Sequence, residues 1–163
     1  MSRDEPQRHE TPTERADRNW NELLQELRVT QTGVQILAGF LLTLAFQTRF
    51  ETLDLFQRTV YVVTLLLAVS SVALFVAPVA YHRALFRHRS KRRLVDAGAL
   101  FAKLGLVSVG MVITGAVLLV VSVVTGRAGG IVAAAFVAAT LGTTWYLLPR
   151  RAVRQAEAEH AEP

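Results

Sequence analysis

The charged residues of this chain are spaced so that four long stretches contain none of them. No Asp, Glu, Lys or Arg falls within residues 29–48, 59–81, 104–126 or 128–149, stretches of 20, 23, 23 and 22 residues. A helix rising ~1.5 Å per residue needs about 20 residues to cross the ~30 Å hydrocarbon core of a bilayer, so each stretch can span. The second and third are almost wholly Val, Leu, Ala, Ile and Phe. The fourth is richer in Ala, and the first carries Thr30, Gln31, Thr32, Gln35 and Thr43. A soluble four-helix bundle would need a polar outer face on every helix. Leu65-Leu66-Leu67-Ala68-Val69 and Val117-Leu118-Leu119-Val120-Val121 have no such face. The predicted fold is all-α: an integral membrane four-helix bundle, residues 19–149, with spans at about 29–48, 59–81, 104–125 and 129–149.

Lys and Arg set the expected orientation, because acidic residues contribute little to it. Fourteen of the 18 lie in the N-terminal segment, the connection between the second and third spans, and the tail. Three (Arg49, Arg58 and Arg127) lie on the opposite side, and Lys103 is at a helix mouth. Both termini and the middle connection are therefore expected in the cytoplasm of a bacterial cell, with the spans in its plasma membrane. The net charge of +5 follows from this asymmetry, and no aromatic or motif support accompanies it for nucleic-acid binding. The first 19 residues hold no apolar run of the kind a cleavable signal peptide carries, so the first span is expected to direct its own insertion.

Residues 1–18 mix charge, Pro and Thr without period and read as a disordered cytoplasmic arm. A short amphipathic helix is expected over 19–28. Asn19 and Glu22 stand at capping-box spacing, and Trp20, Leu23, Leu24 and Leu27 share one helical face. Asn21, Glu22, Gln25, Glu26 and Arg28 fill the other. Such a helix lies on the membrane surface or packs on the bundle, and the alternative is a docking site for a protein partner at the cytoplasmic face. Its acidic Glu22 and Glu26 could meet the arginines of the middle connection. Residues 150–163 form a cytoplasmic tail. Pro78 is expected to bend the last turns of the second span, and Gly126, Gly129 and Gly130 to make a tight turn between the third and fourth.

The sequence gives little support to an enzyme. All four His lie outside the spans, cysteine is absent, and no nucleophile elbow, metal-ligand pair or phosphate loop occurs. No cofactor is expected. Proton- and ion-coupled carriers keep an ionisable side chain inside the membrane, and these spans have none. The most telling polar group is Gln35, whose amide needs a partner beyond its own helix. An interhelical hydrogen bond is the ordinary reading, and the lining of a polar path is the other. Arg83, Arg87, Arg89, Lys91, Arg92 and Arg93 form a polybasic segment suited to topology control and to anionic lipid head groups. Small residues, Ala134, Ala138 and Gly142 on the fourth span and Gly105, Gly110 and Gly115 on the third, allow close helix approach, within one chain or between copies in a homo-oligomer.

The run from Glu10 to Phe40 (ETPTERADRNWNELLQELRVTQTGVQILAGF), with Phe56-Gln-Arg-Thr-Val-Tyr61 and Ala77-Pro-Val-Ala-Tyr-His-Arg83, resembles a family of small four-pass actinobacterial membrane proteins known as a domain of unknown function. The likeness extends over most of the chain. It implies a four-span topology in a bacterial plasma membrane, and some members carry a sodium/proton antiporter label. The reading that follows is a non-enzymatic multi-pass membrane protein with cytoplasmic lipid or partner contacts. Its alternative is a small oligomeric ion or solute transporter.

Overall fold

A computed structural model describes residues 11–85 and 91–161; the side chains at 12, 13, 15–17, 19, 20, 23, 82, 84, 85, 91–96 and 159–161 are not among those described. Among the described residues, four helices are long and apolar enough to cross a membrane, at Leu24–Leu44, Leu55–Tyr81, Ala97–Thr125 and Arg127–Ala158. The elements that carry them are α1 (Pro12–Leu44), α2 (Leu55–Leu85), α3 (Lys91–Thr125), α4 (Arg127–Gly142) and α5 (Leu148–Ala161). A 3-10 turn (Thr48–Thr52) links α1 to α2, and a π-helical turn (Thr143–Leu147) joins α4 to α5.

The first helix departs from expectation at its start. It runs unbroken from Pro12 into the membrane span, so 19–28 is no separate amphipathic helix and 12–18 belong to α1. The physical reason is an earlier cap. The Glu14 amide donates to Thr11 Oγ at 3.3 Å, and the Thr11 amide donates to the Glu14 carboxylate at 2.8 Å. Pro12 occupies the first turn, where its missing N–H costs nothing. That box precedes Asn19, which lies in the helix interior. The two bonds from Thr11, the backbone one first, hold the Glu14 carboxyl below the usual carboxylate range. A second reciprocal box, Asp54 with Gln57, opens α2: Gln57 N donates to Asp54 Oδ1 at 2.8 Å and Asp54 N to Gln57 Oε1 at 3.2 Å.

The core follows a seven-residue rhythm. Buried positions in α2 are Tyr61, Thr64, Ala68, Ser71, Phe75 and Pro78, alternating three and four residues apart. Leu27, Val34 and Leu41 of α1 repeat every seven and are 6%, 2% and 2% exposed. This is the spacing that keeps one seam of a helix against its neighbours in left-handed packing. Leu27 and Val34 meet Phe75 and Val109, while Leu41 meets Ala68 and Val112. The α2–α3 pair is the most extensive contact of the fold, and α1 lies against both.

α4 is joined to α3 through Gly126, whose φ of 88° is readily reached only without a Cβ. α4 packs mainly on α3, and its first turns come close because a Cβ at Gly130 would stand 2.8 Å from the Leu118 carbonyl and from Ser122. At the far end, the Leu148 amide reaches back five residues to Thr143 O. Pro149 explains the widened turn. It lacks an N–H, and its ring would strike the Trp145 carbonyl in a regular helix.

Candidate functional site

Two features of the membrane region have chemistry to offer: a polar seam inside the bundle and an apolar cleft on its flank. The seam lies between α2 and α3. The Ser71 and Ser108 hydroxyls lie 2.8 Å apart and stand 2.8 and 3.2 Å from the Leu67 carbonyl, so their two protons are shared over three contacts. Both serines are buried, at 0% and 5% exposure. Thr64 bonds Val60 O at 2.7 Å, Ser122 bonds Leu119 O at 2.8 Å, and Gln57 Nε2 reaches Ser122 O at 3.4 Å. Tyr61 OH crosses to α1 and donates to Leu41 O at 2.9 Å. No buried side-chain polar atom among the described residues lacks a partner. The seam is a set of closed hydrogen bonds, which lock helices together and leave nothing over for a substrate.

Glycine brings α2 and α3 together around this seam. A Cβ at Gly105 would overlap the Phe75 ring, and one at Gly115 would overlap the Thr64 hydroxyl. Gly110 differs: a Cβ there would rest 3.9 Å from Leu141 and Trp145, in ordinary contact. It opens onto the second feature.

That feature is a cleft of about 590 Å³ between α2, α3 and α4. Val63 and Leu67 form its α2 wall, Val107 and Met111 its α3 wall, and Ala138 and Leu141 its α4 wall. Phe56 closes one end, with the Arg127 guanidinium 3.9 Å from its ring centroid. Trp145 closes the other, from the π-helical turn. The threonines that line it, Thr59, Thr64 and Thr114, return their hydroxyls to Leu55, Val60 and Gly110 carbonyls at 2.7–2.8 Å. The cleft therefore presents methyl and methylene groups, and it is open sideways. On α3 it runs from Leu106 to Leu118. At ~1.5 Å per residue that is about 18 Å, a little more than half of the ~30 Å hydrocarbon thickness. Nothing in the sequence alone pointed to it. Tyr146, beside Trp145, lies 3.8 Å beneath the Arg150 guanidinium.

Among the described residues, those singled out from sequence are not brought together. Gln35 is exposed on α1, away from the bundle, and makes no hydrogen bond to another helix among the described residues. The expected interhelical bond within the chain is thus replaced by an outward-facing amide, because the apolar positions at Leu27, Val34 and Leu41 turn the other side of α1 inward. Leu27 of the expected amphipathic face enters the core and Leu24 is half-buried. Glu22 faces Arg18 on its own helix, Nε to Oε1 at 3.7 Å, and Glu26 is exposed. Arg83 is exposed. Arg87 and Arg89, and the side chains of Lys91, Arg92 and Arg93, lie outside the described residues, as does the side chain of Trp20. On α4, Ala134 is buried against α3, while Ala138 and Gly142 face the cleft.

No curated protein and no solved structure matches the chain. A family description, family of unknown function (DUF6328), matches residues 9–149, from just before the Thr11 cap to Pro149. The match takes in the first three apolar helices, the fourth as far as Pro149, and most of the chain, and the protein belongs to that family.

Proposed function

We propose that this is a non-catalytic protein of the bacterial plasma membrane that holds a lipid hydrocarbon chain in the cleft between α2, α3 and α4. The observation that carries the reading is the cleft: open to the side, lined by apolar groups whose neighbouring hydroxyls are already bonded, and longer than one leaflet is thick. An apolar chain entering it exchanges lipid contacts for protein contacts and strands no polar group. Both termini lie in the cytoplasm under this reading, which the fourteen-to-three division of Lys and Arg supports. Arg83, Arg87, Arg89 and Lys91 to Arg93 then stand at the inner leaflet. There each well-placed cation adds about 1 kcal/mol of attraction to anionic head groups. A protein partner on the same face is a further member of this reading.

A phospholipid bearing a photoreactive group on its acyl chain tests the proposal in reconstituted vesicles. Adducts should concentrate on Val107, Met111 and Leu141, and Ala138→Phe, which fills the cleft, should remove that excess. Adducts spread evenly over every lipid-facing side chain would overturn the proposal. Cation flux above that of empty vesicles would instead favour the carrier reading.

A further inference from the structure

We propose that the outward face of α1 pairs with the same face of a second copy of this chain, through the Gln35 amides. The span Leu24–Leu44 is the least apolar of the four, with a mean hydropathy of 1.2, yet only 17% of an 18-residue stretch of it is buried within the chain. Leu27, Val34 and Leu41 turn inward. Arg28, Thr32, Gln35, Gly39 and Leu42 advance by four, three, four and three residues, and all five are exposed. That repeat is the seam a second helix fits in left-handed packing. Gln35 is at the middle of the span, where water is absent and an unbonded amide is most costly.

The occupant follows from the chemistry of this face. An amide carries both a donor and an acceptor, so across a two-fold axis one Gln35 offers what the other lacks. Thr32 already donates to Arg28 O at 3.0 Å and Thr43 to Gly39 O at 2.9 Å, so neither has a hydroxyl proton left to offer the amide oxygen. Gly39, one turn along, has nothing within 4 Å of where its Cβ would be, which leaves room for a second backbone. A lipid tail on this face would leave the amide unmet. The face lies on α1 and the cleft on α2, α3 and α4, so this proposal and the lipid reading stand or fall separately.

The chain has no cysteine, so single substitutions report cleanly on contact. In vesicles at low protein density, Thr32→Cys and Gly39→Cys should give oxidatively cross-linked dimers. Gly33→Cys and Phe40→Cys, exposed on another side of α1, should not. Adding Gln35→Leu should lower cross-linking at Thr32→Cys by about fivefold, while helix content by circular dichroism is unchanged. Cross-linking that is equal on both sides of α1, absent from both, or indifferent to Gln35→Leu would overturn the proposal. Absence would mean that lipid covers this face.

Discussion

The α2–α3 seam and the outward face of α1 use similar residues to opposite ends. Both carry Gly, Ser or Thr, and amide groups at membrane depth. In the seam each hydroxyl finds a carbonyl or another hydroxyl, and Gly105 and Gly115 are occupied by the side chains of Phe75 and Thr64. On α1, Gln35 has no partner among the described residues, and Gly33 and Gly39 have open space around them. The hydrophobic effect does not distinguish these regions, because lipid is as apolar as leucine. Fit and hydrogen bonding do. A closed polar seam holds one chain together, whereas an open one is available to something outside it.

The sharpest way to break this contrast is to add the same side chain to both regions. Gly115→Leu forces its side chain into Thr64 and should cost about 3 kcal/mol, at the upper end for overpacking, in a detergent-unfolding titration. Gly39→Leu meets nothing in the chain and should stay within about 0.5 kcal/mol. The same variant should nevertheless abolish the cross-link at Thr32→Cys, since the backbone approach is lost. Equal costs for the two would erase the distinction. A smaller effect separates the seam's hydrogen bonds from its packing. In a double-mutant cycle, Ser71→Ala and Ser108→Ala should couple by about 0.6 kcal/mol, the usual size for hydrogen bonds between membrane helices. Zero coupling would reduce the seam to packing alone.

The spans could be read from sequence because charge is excluded from hydrocarbon, and the four gaps between Arg28 and Arg150 record that exclusion directly. The orientation of each helix about its axis was much less legible. In α1 the polar residues drew attention to Gln35, while the seven-residue spacing of Leu27, Val34 and Leu41 was the signal that it faces outward. The start of α1 was legible too, since Thr11-Pro12-Thr13-Glu14 has the same capping-box spacing as Asn19 to Glu22 and a proline at its first turn besides. Mixed charge over 12–18 concealed it. The cleft could not be read at all. It depends on how α2, α3 and α4 stand around it, which is a tertiary quantity with no local signature.

The smallest effect expected is at the Thr11 cap. The Glu14 carboxyl is held below its usual value in the folded helix, so its contribution is present above the ordinary carboxylate pKa and is lost as pH falls through the lowered one. Amide-exchange protection at Glu14, whose N–H donates to Thr11, should fall on acidification, while protection at Val34 should not change. Thr11→Ala should remove the pH dependence along with the protection.

The membrane arrangement itself is tested most directly by access from the two sides. Single cysteines at Thr52, in the turn before α2, and at Ala128, in the first turn of α4, should react with an impermeant thiol reagent in intact cells. A cysteine at Ser90, in the connection between α2 and α3, should react only after the membrane is opened. That pattern is what four spans with both termini inside require. Labelling at Ser90 in sealed cells, or protection of Thr52 and Ala128, would contradict it.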